Sequence, residues 1–238
     1  MIIYLVLILT VLGSGSLIFL IKPGDQRILR FLLAFSGAFL IGITFLKLIP
    51  EVFSKPNILT GLFVLVGFLL QLSLELITGG AEHGHRHTHS DNEKMSPFLL
   101  LTGLCIHSFL EGLPIVQGFE TRIRHSLVLG IVVHNIPISL TLMSLFLHYG
   151  CSKTRALAYL LIFALMTPLG SGFGYLLGST FASSLNTFFN YILAVVIGIF
   201  LHVSTSILFE TEENHQYNIQ KFITVMFGLA IAFGISLL

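Results

Sequence analysis

The sequence contains 238 residues, of which 55% are hydrophobic and only 10% are charged, with a formal net charge of +1. An average soluble domain carries roughly 25% charged residues, so this composition excludes a soluble enzyme and a disordered chain. The small net charge provides no basic field for binding nucleic acid. We therefore predict a polytopic membrane protein.

Eight apolar runs follow one another along the chain, and each is about 20 residues long, as a helix needs to cross a bilayer. Lipid offers the backbone no hydrogen-bond partners, so helices are the expected spanning form. The predicted fold is an all-α bundle of eight transmembrane helices, forming a single domain over residues 1–238. The predicted spans are Ile2–Ile21, Ile28–Ile49, Ile58–Ile77, Pro97–Gln117, Ser126–Leu147, Ala156–Leu177, Thr187–Phe209 and Tyr217–Leu238.

The positive charges are distributed unevenly between the two sides. Eight of the 12 lysines and arginines lie in or beside the loops after the first, third, fifth and seventh spans. Cytoplasmic loops carry the excess of Lys and Arg, so this distribution predicts that both termini lie outside the cytoplasm. The compact loops and the lack of an organelle-targeting signal favour a bacterial inner membrane.

The loop at residues 78–96, between the third and fourth spans, differs in composition from the rest of the chain. It has a histidine at every second position, at His83, His85, His87 and His89. Such a tract is either a solvated segment without a role or a weak metal-binding segment. We favour a metal collector on the cytoplasmic side rather than a transport site.

Ionisable groups inside a span are costly, at about 2.5–3.5 kcal/mol near the bilayer centre, so these positions are the informative ones. His107 and Glu111 are four residues apart in the fourth span and therefore share one helix face. His134 lies at a similar depth in the fifth span. Imidazole and carboxylate ligands suit Zn²⁺, and they are acceptable for Fe²⁺ or Mn²⁺. These three residues are the predicted metal site, although a buried hydrogen-bonded network is the plainer alternative.

Other polar positions leave two interpretations open. Gln71 and Glu75 share a face near the cytoplasmic end of the third span. They could line an exit path, or Glu75 could simply sit at the membrane interface. For His202, in the seventh span, we expect interhelical hydrogen bonding.

Taken together, these residues resemble the motifs of the ZIP (Zrt/Irt-like) family of divalent-metal transporters. Residues 107–112 read H-S-F-L-E-G, similar to the family's H-N-x-x-[DE]-G, and residues 134–137 read H-N-I-P, similar to the start of H-E-x-P-x-E. Residues 46–51, L-K-L-I-P-E, are similar to the family's H-L-x-P-E. Residues 164–170, A-L-M-T-P-L-G, resemble a family segment with Glu before the Pro. The order and spacing of these fragments extend the resemblance over nearly the whole chain.

The departures from the family pattern concern the metal ligands. The resemblance implies two adjacent sites, of which the first would also use a second carboxylate, but Ile138 stands at that position. The second site would use Asn, Glu and Glu where this chain has Ser108, Asn135 and Thr167. Lys47 replaces the family's histidine in span two. The resemblance therefore implies one reduced site and a degraded neighbour.

The expected function is that of a secondary carrier that moves a divalent metal, zinc first, into the cytoplasm. The inward direction is implied by the resemblance. The alternative is a non-transporting membrane sensor or scaffold, and an intramembrane metal-dependent hydrolase is a minor third reading. We expect no prosthetic group. The expected partners are the metal ion and the lipid bilayer, with a homodimer as a further candidate and no nucleic acid.

Overall fold

The computed structural model describes residues 1–20, 26–54, 57–78, 97–116, 121–180, 185–209 and 219–237. These residues form helices and a few short turns, and no strand occurs among them. The helices are α1 Ile2–Ser16, α2 Gln26–Ile43, α3 Ile49–Val52, α4 Ile58–Thr78, α5 Pro97–Gly112, α6 Thr121–His148, α7 Lys153–Thr180, α8 Leu185–Phe209 and α9 Ile219–Ser236.

Seven stretches within the described residues are long and apolar enough to cross a membrane, and α5 is a shorter apolar helix. This confirms the predicted all-α polytopic bundle of about eight helices. The protein is an integral membrane protein, since so many apolar helices leave the bundle with a lipid-compatible surface.

The second predicted span is one continuous helical segment that is interrupted by a π-helical turn. A π-helical turn, Thr44–Leu48, joins α2 to α3. Pro50 lies in the first turn of α3, and its ring would clash with the carbonyl of Leu46 in a regular α-helix. The wider π turn accommodates the proline, and it places Lys47 inside the irregular segment.

The fourth predicted span, Pro97–Gln117, is longer than the helix that the structure shows. Helix α5 ends at Gly112, and a turn follows at Leu113 and Pro114. Pro114 has no backbone N–H to continue the helical ladder, so the boundary prediction was wrong by about one turn. The carbonyl of Ile115, beyond the turn, accepts a hydrogen bond from the Ser171 hydroxyl of α7. A neighbouring helix thus satisfies backbone that the helix end leaves exposed.

The helices pack in neighbouring pairs: α4 on α8, α2 on α9, α5 on α7, and α1 on α6, with α6 also packing on α2. Two apolar clusters fill the interior. The first includes Leu40, Ile131 and Phe200, and the second includes Leu104, Ile138 and Phe163 among others. Helix α6 runs through both clusters, so the polar residues between Ile131 and Ile138 lie at their junction.

Helices α5 and α7 approach each other closely because glycines face the opposing backbone. A Cβ added at Gly112 would overlap the carbonyl of Thr167, and one added at Gly170 would overlap the carbonyl of Phe109. Small residues allow this approach in membrane bundles, where van der Waals packing drives helix association. The contact fixes α5, and therefore the residues that α5 carries.

We expect Gly170→Ala to destabilise the protein by about 1–3 kcal/mol, because the new methyl group collides with backbone that cannot rotate away. Gly172→Ala, two residues along the same helix, is the matched control, since nothing lies within 4 Å of its added Cβ. Thermal unfolding in detergent should separate the two variants. Equal melting temperatures for the two would contradict the close packing described here.

Candidate metal site

Helix α5 places two of the predicted ligands on one buried face. His107 and Glu111 are one turn apart, and Nε2 of His107 lies 3.0 Å from Oε1 of Glu111. Both side chains are 0% exposed. The i, i+4 spacing of a regular helix is sufficient to bring the two groups together.

Helix α6 supplies the third predicted ligand from the opposite side. The rings of His107 and His134 have centroids 6.0 Å apart and meet edge to face at 72°. One ligand atom from each of His107, Glu111 and His134 lies within 4.8 Å of the others. Ligands bonded tetrahedrally to one zinc ion at about 2.0–2.2 Å lie about 3.3–3.6 Å apart, so a contraction of up to about 1.5 Å would bring all three onto one ion. Among the described residues, this is the only group of three such side chains.

The charge of the site is low for a divalent ion. Glu111 supplies its single carboxylate, and Oε2 of Glu111 has no hydrogen-bond partner among the described residues. A bound dication would retain a formal charge of about +1 in a medium where uncompensated charge is costly. The buried carboxylate is correspondingly costly when the site is empty, which points to a cation as its intended partner.

Gln71 of α4 contacts the imidazole ring of His107 at the nitrogen that does not face Glu111. Its Oε1 lies 2.8 Å from Nδ1 of His107, and the amide is fully buried. The sequence indicated that Gln71 is an unusual polar residue in a span, but it did not indicate that its partner is His107. The two residues are 36 positions apart, and no local spacing links them.

The residues of the predicted second site form a different arrangement. The hydroxyls of Ser108 and Thr167 lie 2.7 Å apart and hydrogen-bond to each other across α5 and α7. The amide oxygen of Asn135 is buried without a hydrogen-bond partner among the described residues. All three side chains are neutral, so this region offers no charge to hold a second dication.

A second polar contact lies one helical turn beyond Gln71 on α4. Oε2 of Glu75 is 3.3 Å from Nε2 of His202 on α8, and the Ser206 hydroxyl donates to the same oxygen at 3.5 Å. The Glu75 side chain is 22% exposed. The interhelical role predicted for His202 agrees with this contact. Glu75 is therefore paired within the bundle while part of it remains accessible.

The predicted histidine tract of the loop, at residues 83–89, lies outside the described residues. The same holds for most of the predicted 78–96 segment, of which only Thr78 belongs to a described helix. The proposed role of that loop as a metal collector stays a prediction.

An all-helical membrane bundle that buries two imidazoles and a carboxylate within 4.8 Å of one another has the ligand types of a membrane protein that handles divalent metals. Comparison with known families identifies which kind. Residues 78–236 match the family model described as "ZIP Zinc transporter". Because this match covers more than half of the chain, the protein belongs to the ZIP zinc transporter family.

Individual relatives are more distant. The chain is 23% identical over 278 residues to the Zinc transporter ZIP13 homolog of Drosophila melanogaster, covering 88% of this chain and 78% of that protein. It is 28% identical over 149 residues to Zinc transporter ZIP10 of Danio rerio, covering 59% of this chain but 17% of that protein. For Zinc transporter ZIP9-B of Xenopus laevis the identity is 25% over 119 residues, covering 49% of this chain and 39% of that protein.

Proposed function

We propose that this protein is a secondary carrier that moves zinc, or a similar divalent transition metal, across the membrane into the cytoplasm. The convergence of His107, Glu111 and His134 at one buried position carries the proposal. Membership of the ZIP zinc transporter family supports it, and so does the word zinc in the names of its relatives. The same membership supports a transporter rather than an enzyme.

In this proposal, the three side chains replace part of the ion's hydration shell. His107 and His134 donate nitrogen lone pairs, and Glu111 supplies both a ligand oxygen and the charge. A site with one carboxylate binds a dication less tightly than a site with two, which weakens capture of the ion but favours its release. Access from the two sides of the membrane would alternate by movement of one group of helices against another.

The route to the cytoplasm is proposed to follow α4. Gln71 contacts His107 directly, and Glu75 lies one turn further along the same helix, which rises about 6 Å over four residues. Glu75 and His202 then offer one carboxylate and one imidazole, while Glu75 remains partly exposed. Delivery to the cytoplasmic face also requires the proposed orientation, with both termini outside. The histidine loop that follows α4 would collect the released ion.

A non-transporting sensor or scaffold is the second candidate. The neutral hydrogen bond between Ser108 and Thr167, together with the apolar Ile138, favours it, because each stands where the family pattern has a ligand. A sensor would bind zinc at His107, Glu111 and His134 without moving it. Binding alone therefore does not separate the two candidates, whereas flux does.

Purified protein in proteoliposomes should take up zinc added outside, as followed by a zinc-sensitive dye trapped inside. We expect uptake that saturates with zinc concentration and exceeds that of protein-free liposomes. His134→Ala, inserted to the same level, is the matched variant and should return uptake to the protein-free rate. Saturable zinc binding in detergent without any uptake would contradict the carrier function and would favour the non-transporting sensor.

A further inference from the structure

Helix α4 contributes none of the three proposed ligands, yet it buries an amide against one of them. Only a minority of the residues of this helix are buried, so most of its surface lies on the outside of the bundle. Its buried residues are Thr60, Gly67, Gln71, Leu74 and Thr78. An amide buried in apolar surroundings is costly unless it is hydrogen-bonded. The hydrogen bond between His107 and Gln71 is therefore the feature of this position that needs a functional explanation.

The geometry of this bond determines which nitrogen of His107 faces the ion position. Oε1 of Gln71 accepts a hydrogen bond, so this arrangement favours the tautomer with the hydrogen on Nδ1 of His107. In the neutral ring, the lone pair is then on Nε2. Nε2 is also the nitrogen that lies 3.0 Å from Glu111. The hydrogen bond and the proposed ligand atom thus occupy opposite sides of one ring.

We infer that Gln71 is a positioning residue that holds His107 with its Nε2 lone pair directed at the metal ion. The inference rests on the proposed function, because it assumes that His107 binds the ion. Histidines that ligate metals commonly donate their other N–H to an acceptor, which fixes the tautomer and the ring orientation. Gln71 reaches across from a different helix to supply that acceptor, so the site depends on α4 as well as on α5 and α6.

The acceptor is an amide rather than a carboxylate, and this choice affects affinity. A carboxylate at the same place would make His107 a more basic ligand and would add a negative charge near an ion that retains about +1. The amide fixes the ring without that charge. Gln71 thereby keeps the site organised but only moderately tight, as suits a site that must also release its ion.

Two replacements of Gln71 distinguish this role from packing. Gln71→Met keeps the approximate volume and removes the acceptor, so we expect the dissociation constant for Zn²⁺ to rise by about 10–100-fold. Gln71→Glu keeps an acceptor at the same reach, so it should bind Zn²⁺ at least as tightly as the wild type. A residue that only fills space would give the opposite order, because Met packs well in an apolar region and a buried carboxylate does not.

The measurement is competition binding of Zn²⁺ to purified protein in detergent, with the visible absorption of bound Co²⁺ as a second readout of ligand geometry. Leu74→Met, three residues along the same buried face, is the matched control and should bind like the wild type. Glu111→Ala tests the site itself. If Glu111→Ala removes binding while Gln71→Met keeps wild-type affinity and an unchanged Co²⁺ spectrum, the positioning role is wrong and the proposed function stands.

If Glu111→Ala leaves Zn²⁺ binding intact, the proposed metal site itself is wrong, whatever the Gln71 variants show. Should Gln71→Met fail to fold, Gln71→Glu still tests the role: binding at wild-type strength or better with an unchanged Co²⁺ spectrum supports the acceptor at His107, and clear weakening or an altered spectrum overturns it.

Discussion

Replacing Glu111 with alanine should remove nearly all specific zinc binding. Glu111 supplies the single carboxylate among the three converging side chains, and it is fully buried. Without it, a bound dication would retain its full charge inside the membrane, where charge is poorly solvated. We expect the dissociation constant to rise at least about 100-fold, which corresponds to about 3 kcal/mol. Competition binding with Zn²⁺ on the purified protein measures this change directly.

Thermal unfolding provides a second test of the same substitution. Zinc at about 100 times its dissociation constant should stabilise the wild type by about 2.7 kcal/mol, and this gain should vanish in Glu111→Ala. Glu51→Ala is the matched control, because Glu51 is also a carboxylate but lies on α3 and is not among the three converging side chains. It should keep the zinc-dependent stabilisation. Retention of that stabilisation by Glu111→Ala would mean that this carboxylate does not bind the ion.

The bundle itself could be predicted from the sequence because hydrophobic length is a strong signal in a membrane protein. The boundaries were less predictable. The apolar run of the fourth span continues past Gly112 to residue 117, but Pro114 ends the helix before the hydrophobicity ends. The π turn at Thr44–Leu48 was missed for a related reason. The hydropathy of the sequence does not change at this turn, and only the position of Pro50 indicates an irregular backbone.

The three converging residues could be predicted from depth and helical periodicity. His107 and Glu111 are one turn apart, and His134 has a similar depth in the adjacent span. Their role as metal ligands stays a proposal, as does the role of the histidine loop. The hydrogen bond that Gln71 accepts from His107 was not predictable, because the rotation of α4 about its axis decides which residue meets His107. That rotation is set by packing against α8, where Gly67 meets the carbonyl of Val195.

The replacement of Ile138 by glutamate should add the missing negative charge to the site. Ile138 is four residues after His134 on α6, about 6 Å along the helix, and therefore lies on the same face. A second carboxylate there would make a bound dication formally neutral. We expect zinc affinity to rise several-fold or more. Transport could change in either direction, because tighter binding slows release, so equilibrium binding is the quantity to measure.

The apolar surroundings of Ile138 predict a second effect of the same substitution, which is a loss of stability in the metal-free protein. Its side chain is 3% exposed and packs in the second apolar cluster, so a glutamate there is poorly solvated when no ion is bound. The metal-free variant should unfold at a lower temperature than the wild type, and zinc should recover more stability in the variant than it adds to the wild type.

Leu142→Glu separates charge at the site from damage to the core. Leu142 belongs to the same apolar cluster and is 0% exposed, but it lies eight residues, or about 12 Å, beyond His134 along α6. This variant should be destabilised without any gain in zinc affinity. If Ile138→Glu also loses stability and gains no affinity, its side chain does not face the ion. If Glu111→Ala also leaves zinc binding unchanged, these residues do not surround a metal, and a scaffold without a metal site at this position becomes the better interpretation.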